Sequence, residues 1–249
     1  MKLAGKTALI TGAAKRIGRE IALMLAEAGS DIVIHYNQSR SEALRLKEEI
    51  EDLGVTAILV RADFSSTKKS FSRTLHDFLT QLDRHVQRVD VLVNNASVFY
   101  PTPFGKITEK EWDEMMTVNL KAPFFLAQAI GKRMAKQRSG KIINLLDWSI
   151  LRPPVNYLPY AISKAGLMAA TAGLARALAP HVQVNSVAPG PVLPSRGMSP
   201  KQKQMVIRKT LLKRFGEPRD IAQTVRFLVE GTDFVTGVFI PVDGGSLIA

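Results

Sequence analysis

The chain contains no cysteine. Disulfides, thiolate catalysis and cysteine-ligated zinc are therefore excluded, and the composition is compatible with a reducing compartment. Acidic residues are in deficit: 22 Asp and Glu face 34 Lys and Arg, a net charge of +12. The cations are scattered. Their densest run, Lys201 to Arg214, is interrupted by Met205, Val206, Ile207, Leu211 and Leu212, which predicts an amphipathic helix with a solvated face rather than a nucleic-acid tract. An anionic cofactor and anionic substrates account for a positive surface without a nucleic-acid partner. Long apolar runs are missing too. No window approaches the roughly 18 apolar residues of a membrane span. The first apolar stretch, Thr7 to Ala14, runs straight into Lys15 and Arg16 instead of a cleavage site. The expectation is a cytoplasmic protein with no membrane partner. His76, His85 and His181 show no ligand spacing, so no metal is expected. Linkers, repeats and low-complexity segments are absent as well, which predicts one domain over residues 1–249.

What is present is alternation. Strand-like stretches fall at Lys6–Thr11, Asp31–Tyr36, Val55–Val60, Val89–Val93, Lys141–Leu146, His181–Val187 and Val238–Val242. Helix-like stretches lie between them: Ile17–Ala28, Ser41–Leu53, Thr67–Val86, Glu109–Arg138 with a break near Asn119–Pro123, Tyr157–Leu178 and Asp220–Glu230. Runs such as Asp90-Val91-Leu92-Val93 and Ile142-Ile143-Asn144-Leu145-Leu146 are continuously apolar or nearly so, as expected of strands covered on both faces. The order predicts a Rossmann-type α/β fold, a doubly wound parallel sheet in three α/β/α layers. The one long irregular stretch begins at Pro189, and residues 190–214 are expected to form a substrate loop.

In open α/β sheets ligands lie beyond the carboxyl ends of the strands. The residues there are Thr11–Gly18, Tyr36–Arg40, Asp63, Asn94–Tyr100, Asp147 and Pro189–Gly190. The first is a strand-to-helix turn, with Gly12 and Gly18 where backbone must approach an anion and Lys15, Arg16 and Ile17 opening the helix. Alone, two glycines at this spacing also describe an ordinary tight turn. After the second strand, an acid would bind ribose hydroxyls, whereas a 2′-phosphate calls for cations and donors. Tyr36-Asn37-Gln38-Ser39-Arg40 holds no acid, so NADP(H) is expected, with Ser39, Lys15 and Arg40 as partners. Arg40 reads equally well as a solvent-side start of the next helix. Asp63 suits either an adenine amino group or a local cap.

Tyr160 and Lys164 are four residues apart on a helical stretch and so share a face. A nearby ammonium would favour the phenolate and lower the phenol's pKa toward a value useful for proton transfer. Such a pair is common on helix surfaces. Its weight comes from the rest of the chain, which resembles the short-chain dehydrogenase/reductase family from end to end. The resemblance is carried by Thr11–Gly18, Asn94-Asn95-Ala96-Ser97, Asn119, Tyr160–Lys164, Pro189-Gly190 and Val242-Asp243-Gly244-Gly245. It implies hydride transfer from a nicotinamide cofactor. Tyr160 would be the acid, Lys164 would hold the nicotinamide ribose, and Asn119 would anchor a water. Asn95, Ala96, Ser97, Pro189 and Gly190 would border the cofactor.

Two departures narrow the resemblance. Arg16 replaces the family's middle glycine, and Asp147 stands thirteen residues before the tyrosine, where the family serine belongs. Together they are similar to the pteridine reductases, as is the segment Asn94–Pro103. That subgroup implies a dihydropterin ring C=N as electron acceptor. Phe99 would stack on the pterin, Asp147 would relay a proton and bind the pterin amino group, and Arg16 and Ser97 would add contacts. Phe99 also suits core packing, Asp147 suits a structural cap, and Trp148 suits either packing or the pocket. A general carbonyl or 3-oxoacyl reductase and a non-catalytic NADP(H) sensor are the competing expectations. A homotetramer is implied by the family resemblance.

Overall fold

The computed structural model describes residues 1–65, 68–194 and 197–249. Its centre is one seven-stranded sheet in the order β3-β2-β1-β4-β5-β6-β7, formed by β1 (Thr7–Ile10), β2 (Asp31–Tyr36), β3 (Ala57–Arg61), β4 (Val91–Asn94), β5 (Gly140–Leu145), β6 (Val182–Pro189) and β7 (Phe239–Val242). Every pairing is parallel. The strand order reverses between β1 and β4, which opens a crevice at their carboxyl ends.

The continuous apolar runs divide by parity, because successive side chains on a strand point to opposite faces. Ala8, Ile10, Ile32, Ile34, Val91, Val93, Ile143 and Leu145 pack with Ile21 and Leu25 of α1 (Arg16–Glu27), Leu46 and Ile50 of α2 (Arg40–Glu51), and Ile221 and Val225 of α8 (Pro218–Arg226). Leu9, Val33, Leu92, Ile142 and Val184 pack on the other face with Phe78 and Leu82 of α3 (Phe71–His85), Leu126 and Ile130 of α5 (Ala122–Lys136), and Leu174 of α6 (Leu158–Leu178). Two cores on one sheet make the three layers.

Several boundaries shift for local reasons. The third helix begins at Phe71 because Ser70 caps it, its hydroxyl accepting from the Arg73 N–H at 3.3 Å; the expected start at Thr67 lies outside the described residues. The long stretch from Glu109 is nearly continuous. It comprises α4 (Glu109–Met116), a π-turn at Thr117–Lys121 and α5. Pro123 has no N–H to give the Asn119 carbonyl four residues back, and the wider turn absorbs that loss. The basic run forms α7 only over Pro200–Lys209. None of its residues is buried, and Met205, Leu211 and Leu212 are half or more exposed. The expected solvated face is present, and on the other side Val206 and Ile207 are half-buried. Of the expected substrate loop, residues 195–196 lie outside the described residues, while Val192 and Leu193 form part of the cavity wall.

Candidate active site

The crevice at the strand reversal is a cavity of about 820 Å³. At one end it is bounded by the turn after β1. Gly12 sits at φ +63°, and a Cβ on Gly18 would lie 2.4 Å from the Gly12 carbonyl oxygen, so only glycine closes this turn. The N-terminus of α1 carries no side-chain cap and no acid in its first turn, leaving its N–H groups to an anionic group. Arg16 adopts φ +55°. The family's glycine position thus needs left-handed backbone, and the arginine occupies it at a cost of about 1–2 kcal/mol. This donor set and close approach fit a dinucleotide pyrophosphate.

Asn95 lies in the cavity wall, and its side chain is also bonded within the turn. Its side-chain amide donates to the carbonyls of Thr11 at 2.8 Å and Gly12 at 3.0 Å, while its own N–H donates to the Thr11 hydroxyl at 2.9 Å. It ties the turn to β4. His35, whose strand context carries no chemical signal, anchors the same turn from β2. Nδ1 accepts the Gly12 N–H at 3.1 Å and Nε2 faces the Ala62 carbonyl at 3.2 Å. That arrangement requires the neutral ring with its proton on Nε2. Burial among Phe64 and Phe78 brings its pKa down to about 4. The unfolded ring titrates near pH 6.5, so stability is full above that pH and falls as pH drops toward 4. The shift corresponds to about 3 kcal/mol. We predict that urea midpoints fall over this window in the wild type, and that His35→Asn weakens the dependence and raises the cofactor Kd about tenfold. Unchanged pH dependence in the variant would refute the assignment.

Further along, Tyr36, Asn37, Ser39 and Asp63 border the cavity, as does Gln38. Arg40 does not: it is exposed on the first turn of α2, the solvent-side alternative. The Ser39 hydroxyl makes no cap bond and stays available. Lys15 borders the cavity but pairs with Glu42 at 2.6 Å, which holds that carboxyl down at about 2. Asp63 spends Oδ1 on the N–H and hydroxyl of Ser65, at 3.1 and 2.7 Å. Ile17, Ala96, Ser97, Pro189 and Gly190 also lie in the wall.

At the other end stand Asp147, Tyr160 and Lys164. Asp147 follows β5 and caps a short 3₁₀ turn, its Oδ1 accepting from the Ser149 N–H at 2.8 Å and hydroxyl at 2.6 Å. With Oδ1 so fixed, Oδ2 accepts the Tyr160 hydroxyl at 3.0 Å. The Lys164 ammonium donates to the Leu145 carbonyl at 2.7 Å and lies 5.9 Å from the centre of the Tyr160 ring. Burial lowers its pKa to about 8, against the pull of Asp147. The expected lowering of the phenol is reversed. Burial first, then the Asp147 carboxylate, push Tyr160 well above its usual value, with the Ser97 hydroxyl opposing. The side chain of Asn119 is buried outside the cavity wall and fully engaged. Its oxygen accepts from the Val98 N–H at 2.9 Å and the Ser97 hydroxyl at 3.0 Å, and its amide donates to the Val98 carbonyl at 3.0 Å. Its side chain thereby positions Ser97. Phe99 is 55% exposed, which removes the core-packing alternative. It stacks on Tyr157 with centroids 4.7 Å apart and meets the Tyr160 ring edge-on at the same distance. Trp148 is not in the wall. Among the described residues no group of side chains could hold a metal ion, and no helix is long and apolar enough to cross a membrane.

This arrangement combines a dinucleotide cradle with a buried acid. Residues 6–205 match the short chain dehydrogenase family. The chain is 36% identical to the 3-oxoacyl-[acyl-carrier-protein] reductase of Staphylococcus epidermidis over 244 residues, covering 96% of this chain and 98% of that one. It is also 36% identical to the Aquifex aeolicus reductase of the same name, covering 98% of each. Among solved structures, the alternative dihydrofolate reductase 1 of Brucella canis, complexed with NADP, superposes with a TM-score of 0.90 at 33% identity, covering 100% of this chain and 96% of that one. A putative gluconate dehydrogenase from Agrobacterium tumefaciens gives 0.92 at 30% identity, covering 100% and 98%. With the family pattern matched over most of its length, and with relatives this similar end to end, the chain belongs to the short-chain dehydrogenase family of oxidoreductases.

Proposed function

We propose that the protein is an NADPH-dependent reductase of dihydropteridines. The observation that carries this reading is the Asp147 Oδ2–Tyr160 hydroxyl bond of 3.0 Å beside the exposed ring of Phe99. A ring C=N needs hydride at carbon and a proton at nitrogen. Bound NADPH supplies the hydride. Tyr160 is protonated across the working pH range and holds the proton at its hydroxyl. Asp147, as a carboxylate, accepts from that hydroxyl and offers an acceptor to a pterin amino group. Phe99 offers a flat apolar face to the ring. Lys164, held by Leu145, presents its remaining N–H donors to a ribose.

Preference for NADPH rests on the acid-free Tyr36–Arg40 turn, the unengaged Ser39 hydroxyl and Lys15, and on the NADP complex of the Brucella relative. A homotetramer and a cytoplasmic location belong to the same reading. β7 is a sheet edge, with Phe227 and Phe234 exposed nearby.

The second reading is a 3-oxoacyl reductase, favoured by the names of the curated relatives. Its carbonyl needs no acceptor for an amino group, which leaves the carboxylate at position 147 with its cap of the 3₁₀ turn alone, a task that serine performs as well. NADPH oxidation measured in parallel with 7,8-dihydropterins and 3-oxoacyl thioesters separates the two. Turnover of the dihydropterins is expected; turnover of the thioesters alone would overturn the proposal.

A further inference from the structure

Besides Asp63 and Asp147, the cavity wall holds a third carboxylate, which the reductase chemistry does not use. Glu114, on α4, forms part of the same wall as Asp147 and Phe99. Its Oε2 accepts the Tyr100 hydroxyl at 2.8 Å. Among the described residues its Oε1 receives no hydrogen bond and Lys110, one turn earlier, makes no ion pair with it. The carboxylate is thus tethered on one oxygen and open on the other. Tyr100 directly follows Phe99, so the tether fixes Glu114 relative to the residue offered to the substrate ring. The tether is durable, since burial and Glu114 itself push the Tyr100 phenol up to about 12 and keep it a donor. α4 adds Glu109, Glu111 and Asp113 against Lys110 alone, so its field is negative in a chain of net charge +12.

We propose that Glu114, positioned by Tyr100, is a charge filter of the substrate cavity. It favours substrates that are neutral and carry a hydrogen-bond donor beside the reacting group, and it disfavours those with a carboxylate there. The physical basis is like-charge repulsion in a half-enclosed site, where screening by water is weak, together with the open acceptor on Oε1. The inference rests on the reductase reading only in placing the substrate in this cavity, and it holds whether or not that substrate is a pterin.

The test compares kcat/KM for two dihydropterins with the same ring: 6-carboxy-7,8-dihydropterin, whose carboxylate is on the ring carbon of the reacting C=N, and 6-hydroxymethyl-7,8-dihydropterin, which has an uncharged donor there. Wild type, Glu114→Gln and Tyr100→Phe are assayed. The Gln variant keeps the shape and an acceptor for Tyr100. It is expected to raise kcat/KM for the 6-carboxy compound about tenfold and to lower it for the hydroxymethyl compound about threefold. Tyr100→Phe should move both values the same ways by less, because the charge remains but is no longer held. A merely structural role would move both substrates in one direction, and that result, or no change in Glu114→Gln, overturns the proposal. If no dihydropterin is reduced, the pterin reading fails on its own. The same opposed shifts are then required of pyruvate, which has a carboxylate beside the ketone, and hydroxyacetone, which has a hydroxyl there, as turnover or, without turnover, as Kd on the NADPH-loaded enzyme by calorimetry.

Discussion

Tyr160→Phe is expected to lower kcat by about 10³-fold while leaving NADPH binding within about threefold, in line with the weight of a positioned general acid. The ring is 6% exposed and the variant removes one oxygen. The packing of Phe99 against the ring edge survives, and so does the hydrogen bond from Lys164 to the Leu145 carbonyl. What disappears is the proton that the hydroxyl carries. Two groups, burial and the Asp147 carboxylate, hold that proton firmly. The wild-type phenol should therefore stay protonated above pH 10 in the absence of substrate, and activity should not rise through a phenolate titration near neutrality. Single-turnover rates and fluorescence titration with NADPH check the two halves. Loss of cofactor binding along with turnover would show that Tyr160 is structural.

The architecture was readable because the strands are short, largely apolar runs of four to eight residues between turn signals, and parity along the run assigns side chains to two cores. The phosphate turn was readable because Gly12 and Gly18 stand where backbone meets backbone. Asp147 was readable by spacing from Tyr160. Other features depend on contacts that no local pattern encodes. His35 lies in a strand whose neighbours are apolar, and its role appears only when β1, β2 and β3 align to bring Gly12 and Ala62 to its two nitrogens. The direction of the Tyr160 shift was misjudged because helical spacing places Lys164 nearby but cannot show that Leu145 holds its ammonium. Asn95 and Asn119 could be placed at the site by their motifs, but not their bonds: both donate side-chain N–H groups to backbone carbonyls, Asn95 from within the cavity wall. α7 shows the amphipathic pattern with only Val206 and Ile207 half-buried, since a periodic stripe describes what a helix offers and not how fully the same chain covers it.

Asp147→Ser restores the family's usual residue, and for that reason it separates two readings of the same pocket. Serine and asparagine both serve as N-caps about as well as aspartate, so the 3₁₀ turn from Trp148 should persist in Asp147→Ser and Asp147→Asn, with melting temperatures near that of the wild type. The electrostatics change in both. Without the carboxylate, one cause of the raised Tyr160 pKa is gone while burial remains, so a high-pH absorbance titration should show the phenol ionising at lower pH than in the wild type. For a dihydropterin, the acceptor facing the amino group and the tyrosine's proton partner are lost together. A fall in kcat/KM of about 10²-fold or more is expected for both variants, comparable to losing one positioned charged partner. For a ketone substrate, Asp147→Ser should instead equal or exceed the wild type, because a neutral hydroxyl beside Tyr160 can donate to a carbonyl oxygen and a carboxylate cannot. Full dihydropterin activity in Asp147→Ser would remove the main argument for the pterin reading. The Tyr160 pKa would still report whether the 3.0 Å bond between the two side chains exists in solution.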